Sequence, residues 1–364
     1  MSRGRTYALL ALAALLAGLL AAAAAHSVRW VRHAWLPPSG PIVYIPKTID
    51  PNIEFWQVAR QGVDAAAKEL GVPVTVLGTA REKDIDGQIE LVESAVGLHP
   101  RAIVLAANDY ERLVPAARKV KNAGIPLIMV DSGINGRFAD SLIATDNFEA
   151  GRQVGDALRR LVPAGSRVAV INYIQASANA QERENGVLSS LAEGDIAVEP
   201  TLYSDGLDDK AYELTRELLL RRPDLAGIAA LNEPTADGAA RAIEEAGAQG
   251  RVKLVGIDSS TSEIDYLERE VLQVIVVQKP FNMGYLAIKT AERASRGRKV
   301  EPLIRTGSAV ITKADMYSRE NQKLLFPFLS GQGDAGGGPA AGAVLSGEEP
   351  GEDRPYAGRE AAGG

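Results

Sequence analysis

Short, uniformly apolar runs alternate with amphipathic helical segments along most of this chain, and that alternation constrains its fold more than any other feature. The runs PIVYIP, PVTVLG, AIVLAA and PLIMVD carry no polar alternation, which marks strands covered on both faces, as parallel strands are. From Glu54 to Leu70, the residues Phe55, Val58, Gly62, Ala66 and Leu70 fall near one helical face, with Arg60, Asp64 and Lys68 on others. On this spacing Phe55 belongs to the core face and Trp56 points elsewhere. Gly71 in KELGVP and Gly124 in KNAGIP stand where a left-handed helix C-cap is wanted. The pattern restarts with RVAVINY, a helix near Asn179–Glu193, the strand AVEPTLY, a helix near Asp208–Arg221, the strand GIAALN, a further helix and the strand KLVGID. Two strand–helix blocks of similar size predict an α/β chain of two doubly wound parallel-sheet lobes with right-handed crossovers.

A length of 364 residues suits about two domains. The formal net charge of −6 argues against a nucleic-acid partner. The absence of cysteine excludes disulfides, thiolate metal sites, a cysteine nucleophile and a lipid-modified cysteine after an export signal. Two of the three histidines, His26 and His33, precede the folded region and leave only His99, so a histidine metal site or triad is not expected. No cofactor is expected. Residues 1–25 join Arg3 and Arg5 to an apolar run from Ala8 to Ala25, which reads as an export signal or an N-terminal membrane anchor. Residues 26–40 read as a linker, and residues 329–364, rich in Gly, Ala and Pro, as a disordered tail.

In open parallel sheets, ligands bind beyond the carboxyl ends of the strands. Asp131 ends the strand in IPLIMVDSG and Asp258 ends the one in KLVGIDSS, one from each block. Asn232 and Gln278 end two further strands. Carboxylates suit vicinal hydroxyls, amides both donate and accept, and Arg183 in NAQERENG could add a guanidinium fork. Phe55 and Trp56 open the first helix, and flat aromatic faces against C–H surfaces complete a plausible sugar pocket. Taken singly, a strand-end Asp is more often a turn former or helix cap, and Arg183 a solvated charge.

Together, FWQVARQGVDAAAKELG, NAGIPLIMVDS, IATDNFEAGRQVGDAL, QERENG, AALNEPTADGAARAIEEAG, LVGIDSS and VVQKPFNMG resemble, in order and spacing, the ribose-binding family of periplasmic sugar-binding proteins. This type I class shares its fold with LacI-type repressors. The resemblance runs from about Ile42 to Lys313. It implies a periplasmic binding protein type I fold, two lobes joined by a three-segment hinge near Asp146, Gln278–Pro280 and Thr306. Lobe one would be 41–145 plus 279–306, and lobe two 146–278 plus 307–328. It implies ligand contacts at Phe55, Trp56, Asp131, Arg183, Asn232, Asp258 and Gln278. Asn108 stands beside the position where the family has an asparagine. Ser132 replaces an arginine common among relatives, and Gly206 or Leu207 replaces an aromatic, so the resemblance leaves the sugar open. The N-terminal segment is not the helix-turn-helix of the repressors.

The expected function is an extracytoplasmic, non-enzymatic, monomeric receptor for a sugar or sugar-like small molecule, in the periplasm or on the outer face of the cytoplasmic membrane. It would close its lobes on the ligand and deliver it to an ABC permease. The alternative is an anchored sensor signalling to a membrane histidine kinase. More remote is a glycosidase using Asp131 and Asp258 as its carboxyl pair.

Overall fold

The computed structural model describes residues 40–326, together with Gly18. The export or anchor segment, the linker up to residue 39 and the tail from 329 lie outside the described residues. The first block runs β1 (Ile42–Ile45), α1 (Glu54–Leu70), β2 (Val74–Val76), α2 (Ile85–Gly97), β3 (Ala102–Leu105), α3 (Val114–Asn122), β4 (Leu127–Val130) and β5 (Ser141–Ala144). The second runs α4 (Asn147–Leu161), β6 (Arg167–Asn172), α5 (Ala178–Leu191), β7 (Ala197–Val198), β8 (Leu202–Tyr203), α6 (Asp208–Arg221), β9 (Leu225–Ala230), α7 (Glu233–Glu245), β10 (Lys253–Ile257), α8 (Thr261–Glu268) and β11 (Val274–Val277). The chain then returns through α9 (Pro280–Ser295), β12 (Leu303–Arg305), β13 (Ala309–Thr312) and α10 (Arg319–Leu325). No helix among the described residues is long and apolar enough to cross a membrane.

β1, β3 and β4 are buried at every position. Their side chains divide by the strand period of two: Ile42, Tyr44, Val104 and Ile128 enter one apolar cluster, while Val43, Ile45, Ile103 and Leu127 enter another. Helices cover both faces, as the unbroken apolar runs require. The first sheet has the order β12-β5-β4-β3-β1-β2 with every pair parallel. The second has the order β13-β11-β10-β9-β6-β7, with β8 also on β6, and only β13 runs antiparallel, against β11. AVEPTLY is not one strand: Pro200, which has no N–H to donate, separates β7 from β8.

Three chain segments pass between the sheets. β5 belongs to the first sheet, yet α4 after it packs on β9, β10 and β11. β11 belongs to the second, yet α9 after it packs on β3 and β4. β12 and β13 then lie in different sheets, separated by residues 306–308. The two lobes meet at the carboxyl ends of their strands.

α1 buries Trp56, Ala59, Gly62, Val63 and Ala66. The core face therefore runs through Trp56, and Phe55 is only partly buried beside it. This departs from the sequence expectation: of the five residues chosen there only Gly62 and Ala66 are buried, and Phe55, Val58 and Leu70 are partly exposed.

Small residues let paired helices touch backbone to backbone. A β-carbon at Gly151 of α4 would lie 2.1 Å from the Arg183 carbonyl oxygen of α5, and one at Gly186 would lie 2.1 Å from that of Phe148. Gly186→Ala must therefore push the two helices apart. It is expected to cost about 1–3 kcal/mol, read as a lower midpoint in urea unfolding, and to weaken ligand binding because α5 carries Arg183. An unchanged midpoint would show that the pair is not tightly fitted.

Candidate functional site

Asp131 and Asp258 follow the last residues of β4 and β10, and both have a left-handed backbone, φ 62° and 103°. Each still donates its N–H to the neighbouring strand, to Ile143 O at 2.8 Å and Val276 O at 3.1 Å. The chain thus keeps its ladder bond while turning sharply out of the sheet. Aspartate tolerates this conformation better than most residues, but such positions still cost about 1–3 kcal/mol and cluster at functional sites.

The turns open on a small cavity between the lobes, with about 300 Å³ of empty space counting its open mouth. Seven of the nine residues expected at a site line it: Phe55, Trp56, Asp131, Arg183, Asn232, Asp258 and Gln278. Asn108 and Ser132 do not. Asn108 is fully buried behind Lys47, donating from Nδ2 to the Lys47 carbonyl at 3.0 Å. Ser132 lies 1% exposed, its Oγ 3.4 Å from Ser177 Oγ. Both are held by buried hydrogen-bond partners away from the cavity lining.

Lys47, Glu82, Tyr173, Asn179 and Glu233 also line the cavity and were not anticipated. Lys47, just past β1, is 1% exposed. Its Nζ crosses the cleft, donating to Ser177 Oγ and Asn179 Oδ1 at 2.8 Å each, and stands 3.4 Å from Asp131 Oδ2. Asn179 Nδ2 donates back to Asp131 Oδ2 at 2.8 Å. A cation from another strand end thus stands beside Asp131. The only local sequence signal for it was a lysine directly after a buried strand, in VYIPK.

In the second lobe, Arg183 donates to Asn147 Oδ1 at 2.9 Å and to the Leu231 carbonyl at 2.7 Å. Its guanidinium lies 5.6 Å from the Tyr173 ring centroid, and Lys47 Nζ lies 5.4 Å from the same ring. Both distances suit cation–π contact. Asn232 is the N-cap of α7, its Oδ1 accepting from Thr235 N at 3.3 Å. The sequence signal of a strand-end amide thus reported a helix cap and a cavity wall at once. Asp258 Oδ1 accepts from Gln278 Nε2 at 2.6 Å, and Oδ2 accepts from Glu233 N at 3.0 Å. Gln278 in turn accepts from Thr145 Oγ1 at 2.9 Å, which ties two of the interlobe segments together.

Two further contacts cross the cleft. The Ile53 side chain cannot cap α1, and Glu233 of the second lobe does so instead, accepting from Glu54 N at 2.8 Å and Phe55 N at 2.9 Å. Reciprocally, the Glu54 carboxylate accepts from Thr261 N and Oγ1 at 3.1 Å, at the start of α8. A carboxylate at a helix N-terminus is favoured by the exposed N–H groups and the helix dipole.

Burial raises the carboxyls at this interface. Glu233 and Glu263 are held well above the usual carboxylate range by desolvation, and Asp258 is raised by the same cause against the pull of Arg183. Partly buried Asp237 is pushed up to about 7, by desolvation first and then by Asp208, Glu54 and Asp258, against the pull of its Ser260 hydrogen bond. Between its ordinary value of 3.8 and about 7, the folded state holds a proton that the unfolded state has released. Stability therefore falls as pH rises through that window. The melting temperature of the ligand-free protein is expected to drop from pH 4 to pH 7, and Asp237→Asn to raise it by several degrees at pH 7 but little at pH 4. A variant that tracks the wild type at every pH would refute this assignment.

Comparison with known proteins agrees with this geometry. A family model described as "Periplasmic binding protein domain" matches residues 42–299. The D-allose-binding periplasmic protein of Escherichia coli K12 is 26% identical over 258 residues, covering 68% of this chain and 83% of that protein. An ABC transporter solute-binding protein from Agrobacterium vitis, solved with bound D-fucose, superposes with a TM-score of 0.77 at 32% identity, covering 79% of this chain and 100% of that one. A carbohydrate transporter solute-binding protein from Agrobacterium radiobacter, solved with D-arabinose, gives 0.75 at 31% identity, covering 79% and 99%.

Proposed function

This chain belongs to the periplasmic binding protein domain family, and from that premise we propose that it is an extracytoplasmic receptor that binds a monosaccharide between its lobes and presents it to an ABC permease. The observation that carries the reading is the cavity itself. Both lobes wall it, with hydrogen-bonding groups beside Phe55, Trp56 and Tyr173. That combination suits a polyol with apolar C–H faces. Relatives described with D-allose, D-fucose and D-arabinose support the ligand class.

In this reading lobe one is 41–145 plus 279–306 and lobe two 146–278 plus 307–328. They close about the three interlobe segments, and ligand contacts on both sides favour the closed form by their differential affinity for it. The protein acts as a monomer. Asp131 and Asp258 act as hydrogen-bonding groups rather than as a catalytic pair, since both are engaged by protein donors. The N-terminal apolar run directs export. A mature N-terminus at His26 in membrane-free extract would identify a cleaved signal, and retention in membranes an anchor.

A thermal-shift screen of D-allose, D-ribose, D-arabinose, D-fucose and D-tagatose tests the reading. A ligand at 100 times its Kd stabilises the native state by about 2.7 kcal/mol. At least one sugar should raise the melting temperature by several degrees, and Asp258→Ala should abolish that shift. No shift with any sugar, or a full shift in the variant, would refute the reading.

The exchanged carboxylates give a second prediction. Glu54 does not line the cavity, yet its carboxylate joins the lobes. Glu54→Ala is expected to speed sugar dissociation roughly fivefold, equivalent to about 1 kcal/mol, with little change in the ligand-free melting temperature. An unchanged dissociation rate in stopped-flow fluorescence of Trp56 would show that the exchange does not hold the lobes together.

A further inference from the structure

Glu82 lies in the turn between β2 and α2 and lines the cavity. It is 7% exposed. Its Oε1 accepts from Trp56 Nε1 at 2.9 Å, which fixes the carboxyl against the indole. Its Oε2 is buried and has no hydrogen-bond partner among the described residues.

The second lobe covers this oxygen. Gly206, at φ 72°, approaches so closely that a β-carbon built on it would lie 3.5 Å from Oε2. The neighbouring cation does not satisfy the oxygen, because Lys47 Nζ is committed to Ser177, Asn179 and Asp131. A buried carboxylate oxygen without a donor is costly, whereas the same oxygen in water is not. Bringing the lobes together therefore leaves Glu82 Oε2 dependent on a donor from whatever fills the cavity.

We infer that Glu82 is a specificity-determining residue, its free oxygen accepting a hydrogen bond from one particular hydroxyl or amino group of the bound sugar. This rests on the sugar-receptor reading above. The residue selects by exclusion: a sugar lacking a donor at that position leaves the acceptor stranded when the lobes meet. Sites built to pair a substrate hydroxyl reject analogues without it far more strongly than apolar walls reject a missing carbon. The lining points the same way: among the described residues it sets four carboxyl groups, of Glu82, Asp131, Glu233 and Asp258, against two cations, Lys47 and Arg183, and a sugar acid would bring a fifth carboxyl to compete for those cations.

The test is calorimetric titration of the full chain with the tightest-binding sugar of the five-sugar screen, its single-deoxy analogues and its uronic acid. The wild type should bind one deoxy analogue at least tenfold more weakly than the parent, with the uronic acid weaker than the parent. Glu82→Ala should erase that one preference and leave the others in place. Glu82→Gln can keep the Trp56 bond through its carbonyl while turning a donor toward the sugar. It should therefore lose affinity for the parent sugar more than for that analogue, with a ligand-free melting temperature near the wild type's. Sugar binding in which Glu82→Ala and Glu82→Gln change all analogues equally would overturn the inference alone, reducing Glu82 to a support for Trp56. Absence of binding by any sugar to the wild type would overturn the receptor reading and this inference together.

Discussion

The ammonium of Lys47 is almost wholly removed from water, and the way the two lobes meet depends on how that charge is held. Burying an unpaired ammonium would cost several kcal/mol, of order the whole stability of a domain. Lys47 avoids this through Ser177 and Asn179 of the second lobe and Asp131 of its own. Asn179 closes the triangle by donating to Asp131. The bonds to Ser177 and Asn179 are lost if the lobes separate, while the Lys47–Asp131 pair stays within lobe one, and the released groups can then be hydrated. The same atoms thus suit both an open and a closed cleft, the physical requirement for a receptor that responds to a small ligand.

A second set of contacts extends the principle to the rim. Glu233 caps α1, and its own N–H donates to Asp258. Asp258 reaches Gln278 in one interlobe segment, and Gln278 reaches Thr145 in another. The cavity wall, the rim and two of the segments that pass between the sheets are therefore one connected network. Burial raises its carboxyls, first through desolvation.

Much of the fold was legible because long periodic segments carry strong signals. The first helix and the helix at Asp208–Arg221 begin and end where the periodicity places them. Gly71 and Gly124 adopt left-handed backbone, φ 63° and 70°, where the chain must leave a helix. The short strands β5, β12 and β13 were not read. They lie at or next to sheet edges and are not buried at every position, so they lack the unbroken apolar run that marks β1, β3 and β4. Trp56 joins the core as well as the cavity wall, which the stripe drawn through Phe55 did not foresee, since each residue turns a helical face by about 100°.

The sequence by itself determined the two α/β lobes, the strand ends where polar residues gather and the pair of aspartates that turn into the cleft. These follow from local pattern and from the rule that parallel strands deliver their ends to one side. Only the tertiary structure decided that Lys47 stands beside Asp131, that Asn108 and Ser132 do not line the cavity, and that Glu82 keeps one oxygen unpartnered. Each depends on residues 45 or more positions apart in the chain meeting across the cleft or at a strand end. No local periodicity records such a meeting, because it is set by how two independently packed sheets are joined.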